Sequence, residues 1–279
     1  MIGITRFSNG RMGNRLFHYH FLRQITEKTK LEYFNVSFPE STYFENMNRK
    51  FNPLILLRKN IKISSKDILS KSSEEFMVYI TEENKNGKNI LIEPPILGEV
   101  FFDYLFYDPN QFIKVKNIFK TNINNNKEND KIIGIHFRGT DFESWNKIAS
   151  LSFNYYKSAI EFCVSHFIKN NITFGLFTDD DYFEPYIKTI RLLKSIKKCN
   201  FFIGNNKIAP IYDFCLLNQC DILISSPSTF AIFAALIGKK KKIIHSKDWI
   251  NYATLNNDIF WMKLVNNPVN DFYYLWKLF

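Results

Sequence analysis

Apolar residues in the second half of the chain fall into short runs separated by polar strings. Ile132-Ile133-Gly134-Ile135, followed by Phe137, predicts a buried strand over 132–137, and Thr173 to Phe177 predicts another. Phe201-Phe202-Ile203, Ile222 to Ser225 and Ile243-Ile244 are shorter runs of the same kind. Between them the period changes. Tyr156, Ile160, Cys163, Val164 and Phe167 recur on one helical face, predicting a helix over about Phe153 to Asn170. Further helices are predicted over roughly Tyr182 to Ile196 and Ile211 to Asn218. A last one starts at Ser226-Pro227-Ser228-Thr229 and runs through Ile237, closed by Gly238. Strands alternating with helices predict an α/β protein with a doubly wound parallel sheet.

The first half opens with a strand, Gly3 to Phe7, and a loop from Ser8 to Asn14. Leu16, Phe17, Tyr19, Phe21, Leu22 and Ile25 then follow at helical spacing. From residue 31 to 120 the pattern weakens: short strands around Tyr33 to Val36 and Asn89 to Ile92 alternate with polar loops. Phe101 to Tyr107 reads as a helix or a packed loop, and Asp271 to Phe279 as a helix packed on a domain. Thr121 to Lys131 is Asn-rich and nearly free of core residues, which predicts a linker. The expected domains are therefore 1–125 and 126–279.

At 279 residues the chain has room for two domains, and a hydrophobic content of 46% supports a sizeable core. The net charge of +10 favours anionic partners. No Arg-rich arm or zinc-finger spacing occurs, so nucleic acid is not an expected partner. The four cysteines (163, 199, 215 and 220) form no C-x-x-C pair and read as reduced, mostly buried thiols. Met1 to Arg15 lacks the apolar core of a signal peptide, and no apolar run reaches membrane-spanning length. The expectation is a cytoplasmic protein. Lys239 to Lys242 offers peripheral contact with an anionic membrane, although a solvated turn is the favoured reading of so short a run.

Four loops carry candidate chemistry. The first is Gly10 to Asn14, whose Gly10-x-x-Gly13 spacing matches neither a Walker loop nor a dinucleotide fingerprint. The second, His136-Phe137-Arg138-Gly139-Thr140-Asp141, follows a predicted strand and supplies an imidazole, a permanent cation and a carboxylate. Arg138 presents a fork suited to phosphate, or else pairs structurally with Asp141. The third, Thr178-Asp179-Asp180-Asp181, suits a metal or an acidic helix start, and the helix start is favoured. The fourth is Ser225 to Thr229: hydroxyls of Ser228 and Thr229 and the amides of a helix start favour a phosphate, while capping by Ser226 or Ser228 is the commoner role. Asp213 has the acceptors for a guanine edge, or is a solvent-facing helix acid. His18, His20, His166 and His245 read as packed or surface residues.

In order along the chain, these strings resemble the fucosyltransferases that share an H-x-R motif, among them the bacterial α-1,2 enzymes and, more distantly, α-1,6- and protein O-fucosyltransferases. Gly10-Arg11-Met12-Gly13-Asn14-Arg15-Leu16-Phe17 resembles their G-x-x-G-N-Q-x-F opening, and His136 to Asp141 resembles H-x-R-R-x-D. Phe177-Thr178-Asp179-Asp180 resembles F-S/T-D-D, and Asp213-Phe214 to Ser228-Thr229-Phe230 resembles the last motif. Departures are Gly139 for the second Arg, Arg15 for Gln, and Pro227 and Ala231 in the last motif.

The resemblance implies a GT-B-like fold of two Rossmann-like domains facing a cleft, the second binding GDP-fucose and the first shaping the acceptor site. It implies an inverting glycosyltransferase that moves fucose from GDP-fucose to a glycan hydroxyl, in α-1,2 linkage, with no metal or other cofactor. Arg138 would grip the β-phosphate, His136 and Asp179 would lie at the nucleotide, and Asp213 would hold guanine. Ser228 and Thr229 would meet the phosphates, and Gly13 and Asn14 the sugar or diphosphate. The base stays open among Asp141, Glu143 and His18, Asp141 being the catalytic assignment beside Arg138. The alternatives are a same-fold enzyme using another nucleotide sugar and a non-catalytic basic binding protein.

Overall fold

The computed structural model describes residues 1–4, 11–47, 59–93, 109–120, 123, 130–140, 150–204, 209–238, 242–246, 265–266 and 272–276. Gly10, Phe101–Tyr107, Asp141, Glu143 and Lys239–Lys241 lie outside them. The chain divides into two compact units, Met1–Lys116 and Asn117–Phe279. The division falls ahead of the Asn-rich segment because the chain joins the second unit earlier. Phe119 packs edge-on against Tyr212 at 6.1 Å, and the Ile123 amide donates to Gln219 Oε1 at 2.9 Å.

The first unit holds a four-stranded parallel sheet in the order β2 (Tyr33–Asn35), β1 (Ile2–Ile4), β5 (Asn89–Ile92), β4 (Asn60–Ile63). Helix α1 (Met12–Thr29) follows β1 and packs on β1 and β2. Helices α2 (Ser65–Leu69) and α3 (Ser73–Lys85) occupy a stretch whose hydrophobic pattern predicts only strands and loops. Their signal is local. Ser64 with Asp67, and Ser72 with Glu75, form reciprocal capping boxes, each satisfying helix-start amides that otherwise lack partners. A two-stranded pair, β3 (Phe44–Glu45) with β6 (Lys114–Val115), completes this unit's strands among the described residues.

The second unit is built on a seven-stranded sheet. Its parallel strands are β7 (Asp130–Phe137), β8 (Asn171–Thr178), β9 (Cys199–Ile203), β10 (Ile222–Ile224) and β11 (Lys242–Ser246), in the spatial order β11-β10-β7-β8-β9. In this order the chain winds outward from β7 in one direction and then from β10 in the other. The sheet therefore has a topological switch point between β7 and β10, which in parallel sheets marks the ligand-binding edge. Helices α4 (Phe153–His166), α5 (Glu184–Ser195), α6 (Pro210–Gln219) and α7 (Thr229–Ile237) are the connections. Ile133, Ile135, Phe137, Tyr155, Tyr156, Phe174 and Leu176 form the centre of a core in which β7, β8 and α4 meet. Phe137 lies 4.4 Å from the Tyr156 ring and 5.4 Å from Tyr186, centroid to centroid.

The C-terminal segment differs from the helix expected there. Phe272–Trp276 forms β13, antiparallel to β11, with β12 (Val265–Asn266) beyond it. Five residues, four of them aromatics of strong strand preference, meet an open parallel edge, and backbone pairing at that edge wins over helix formation. Among the described residues no helix is long and apolar enough to cross a membrane. None of Cys163, Cys199, Cys215 and Cys220 is in a disulfide, and burial raises the Cys199 thiol's pKa.

Candidate functional site

The site is assembled where β7, β8 and β10 end. Strand β7 delivers His136 as its penultimate residue, so Arg138 is the first residue past the sheet. Paired alongside, β8 ends at Thr178 opposite Phe137, which puts Asp179 next to the Arg138 loop. Asp179 then holds three successive residues of that loop, Arg138, Gly139 and Thr140. Its Oδ1 accepts the Gly139 amide at 2.9 Å. Its Oδ2 accepts the Thr140 hydroxyl at 2.8 Å and Arg138 Nη1 at 2.9 Å. The Arg138 and Asp179 side chains are each only 12% exposed, so the pair is shielded from bulk screening. Burial alone would raise the Asp179 pKa. The Gly139 amide, the Arg138 cation and the Thr140 hydroxyl outweigh it and hold the carboxyl below its ordinary value. Arg138 is thus paired with Asp179, 41 positions away in sequence, while the alternative partner Asp141 lies outside the described residues.

Asp179 is read from sequence as a donor-binding residue or as part of an acidic helix start. Its observed work is to shape the Arg138 loop. Asp180, not Asp179, organises the approach to α5: its Oδ1 accepts the Tyr182 amide at 2.9 Å, and its backbone bonds with the Thr178 hydroxyl. Gly139 sits in a tight place. A Cβ there would lie 2.9 Å from Asp180 Cβ and 3.0 Å from Phe183 Cβ. The turn before α5 approaches the loop so closely that a side chain at 139 would force a shift.

His136 and Ser226 meet across the switch point. His136 Nδ1 is 2.7 Å from Ser226 Oγ, and the Ser226 amide donates to the His136 carbonyl at 3.1 Å. His136 is 6% exposed and Ser226 is fully buried. Burial drives the imidazole pKa down to about 4; Asp179 opposes the shift and Arg138 adds to it. The ring is therefore neutral near pH 7, and it packs 5.6 Å from the Phe230 ring. Of the two serines offered as caps for the following helix, Ser226 bonds to His136, and Ser228 occupies the cap position without a side-chain capping bond. Thr229 is the first residue of α7. Behind this loop the buried Tyr155 hydroxyl is shared between the carbonyls of Ser225 (2.8 Å) and Ile244 (3.0 Å).

Asp213 lies on the first turn of α6 and is 3% exposed, so it is not a solvent-facing acid. Gly204, just past β9, passes against it: a Cβ there would lie 2.7 Å from Asp213 Oδ1 and 2.5 Å from Phe177 Cδ1. In the first unit, Gly13 and Asn14 are on the first turn of α1. Arg15 is tied to both carboxylate oxygens of Glu40 at 2.7 and 2.6 Å. His18 and His20 are each 1% exposed on the same helix, as packed residues. Among the described residues no group of three or more His, Cys, Asp or Glu side chains is arranged to hold a metal ion.

The architecture has solved counterparts. NodZ from Bradyrhizobium, a fucosyltransferase, superposes with a TM-score of 0.52 at 15% identity, over 88% of this chain and 94% of that one. A mutant of Arabidopsis thaliana FUT1 in complex with GDP gives 0.57 at 10% identity, over 88% of this chain and 69% of that one. POFUT1 in complex with GDP gives 0.54 at 10% identity, over 85% and 94%. The chain has their fold. It is the GT-B-like α/β architecture expected from the sequence, reached at identities too low to carry function with it. No protein-family model matches the chain, and no curated protein matches it in sequence.

The H-x-R string, the T-D-D string and the serine loop are thus brought together in the second unit, with Asp213 on the far side of β8. Sequence reasoning missed Ser226 as the partner of His136 and Asp179 as the organiser of its loop. No local pattern signals either contact, since they join residues 90 and 40 positions apart.

Proposed function

We propose that the protein is an inverting fucosyltransferase that moves L-fucose from GDP-fucose to a hydroxyl of a glycan acceptor, in α-1,2 linkage and without a metal. The observation that carries this reading is the oriented Arg138, held by Asp179 at the switch point of a parallel sheet beside a neutral His136 and the start of α7. As the glycosidic bond breaks, charge grows on the β-phosphate of the leaving GDP. Arg138 and the α7 amides stabilise that charge more in the transition state than in the ground state. Ser228 and Thr229 donate to the phosphates, and Asp213 accepts from guanine N1–H and N2–H₂. Asp141 takes the acceptor proton.

GDP at a hundred times its Kd should stabilise the folded protein by about 2.7 kcal/mol, raising Tm by roughly 5 °C, while UDP and CMP at the same concentration do little. A screen of nucleotide sugars with linkage analysis of the product then tests the chemistry, with and without EDTA. Transfer from GDP-fucose unaffected by EDTA supports the reading. Turnover of a different donor assigns the fold to another glycosyltransferase, and absence of any turnover together with no GDP shift assigns it to a binding protein.

The site also predicts an acid-sensitive fold. The folded pKa of His136 is about 4 against an ordinary 6.5, so the unfolded chain binds a proton first and stability falls as pH drops through that window. The Asp179 pKa is lowered as well, and its contribution, present above the ordinary 3.8, is lost at still lower pH. Tm measured between pH 7 and about 5 should fall in wild type and be flatter in His136→Gln. Equal slopes in the two proteins would remove His136 as the cause.

A further inference from the structure

Ser226 has a role that follows from hydrogen-bond accounting. A hydroxyl is one donor and an acceptor, and a buried hydroxyl that fails to donate loses a water bond without replacement. Ser226 is fully buried, and among the described residues its Oγ bonds only with His136 Nδ1, at 2.7 Å. Were Nδ1 protonated, it would donate to Ser226, and the serine proton would have no acceptor. With Nδ1 bare, the serine proton goes to Nδ1, every group at the contact is satisfied, and the ring proton resides on Nε2.

The backbone makes this geometry stiff. The Ser226 amide donates to the His136 carbonyl, and the Ser226 carbonyl accepts both the Ser225 hydroxyl (2.6 Å) and the Ser228 amide (2.7 Å). Ser226 is therefore held to His136 on one side and to the cap position of α7 on the other.

We propose that Ser226 is a positioning residue: its hydroxyl donates to His136 Nδ1, fixes the imidazole in the Nε2–H tautomer, and makes His136 a hydrogen-bond donor toward bound nucleotide rather than a base. The nucleotide part rests on the reading of the site given above; the tautomer does not. The depressed proton affinity of the buried ring agrees, because it keeps the imidazole neutral under assay conditions.

Long-range ¹H–¹⁵N spectra of the ¹⁵N-histidine-labelled full chain without ligand test the tautomer directly. Signals of His136 among the five histidines are assigned by their loss in His136→Gln. The expected pattern is a protonated Nε2 and a bare Nδ1 in wild type and in Ser226→Thr, which keeps the hydroxyl. In Ser226→Ala the pattern becomes mixed or reversed, and GDP affinity by calorimetry falls roughly 3- to 10-fold with recovery in Ser226→Thr. A protonated Nδ1 in wild type overturns the proposal, and so does a tautomer unchanged by Ser226→Ala. The wild-type spectrum decides the point even if Ser226→Ala does not fold. Failure of wild type to bind GDP, with the Nε2–H pattern present, instead removes the nucleotide reading and the donor role while the tautomer assignment stands.

Discussion

If the proposed fucosyl transfer is the reaction, Arg138→Ala is expected to lower its rate by roughly 10²–10³, the usual loss when one preorganised donor is removed from a developing charge. The geometry makes Arg138 such a donor. Its guanidinium is held by Asp179, so in the proposed mechanism little reorganisation would be needed as charge builds on a departing diphosphate. The loop should survive the change, because Asp179 still accepts the Gly139 amide and the Thr140 hydroxyl. Activity should therefore drop far more than thermal stability does, which kinetics with GDP-fucose and a melting curve on the same sample will show. Arg138→Lys should recover little, since a point charge does not replace the fork that faces Asp179 and a phosphate together. Near-normal turnover by Arg138→Ala would end the mechanism proposed above.

The second large effect runs against family logic. The H-x-R-R-x-D pattern has an arginine where this chain has Gly139, and on charge alone Gly139→Arg would strengthen a phosphate grip. The structure predicts a loss. A Cβ at 139 would sit 2.9 Å from Asp180 Cβ and 3.0 Å from the Cβ and Cγ of the buried Phe183, none of them the far end of a flexible chain. Overpacking of this kind costs about 1–3 kcal/mol, and the shift that relieves it moves the very residue whose amide binds Asp179. Transfer should fall at least tenfold, with Tm lowered by several degrees. Gly139→Ala should show most of the same defect, because the clash begins at Cβ. A Gly139→Arg enzyme as active and stable as wild type would mean that the turn before α5 yields more easily than its packing indicates.

Much of the second unit was legible in the order of residues. The isoleucine run of β7, the helical spacing of α4 and the strings closing β7, β8 and β10 depend on periods of two and 3.6, which any short window displays. Helix α3 was also written locally, in Ser72 and Glu75, but in capping chemistry rather than hydrophobic pattern. Strand β13 was not: five aromatic and aliphatic residues become a strand because β11 offers an edge to pair with, and that edge exists only after the sheet has formed.

The chain alone determined the alternation of strands and helices and the presence of a cation, an imidazole and hydroxyls at strand ends. Which of these meet was decided by the tertiary structure. Strand order β11-β10-β7-β8-β9 brings Ser226 to His136 and Asp179 to Arg138, so that two loop side chains support two others. The reason is physical. These hydrogen bonds are contacts of about 3 Å between groups that the chain separates by tens of residues, and only the winding of the sheet selects such pairs.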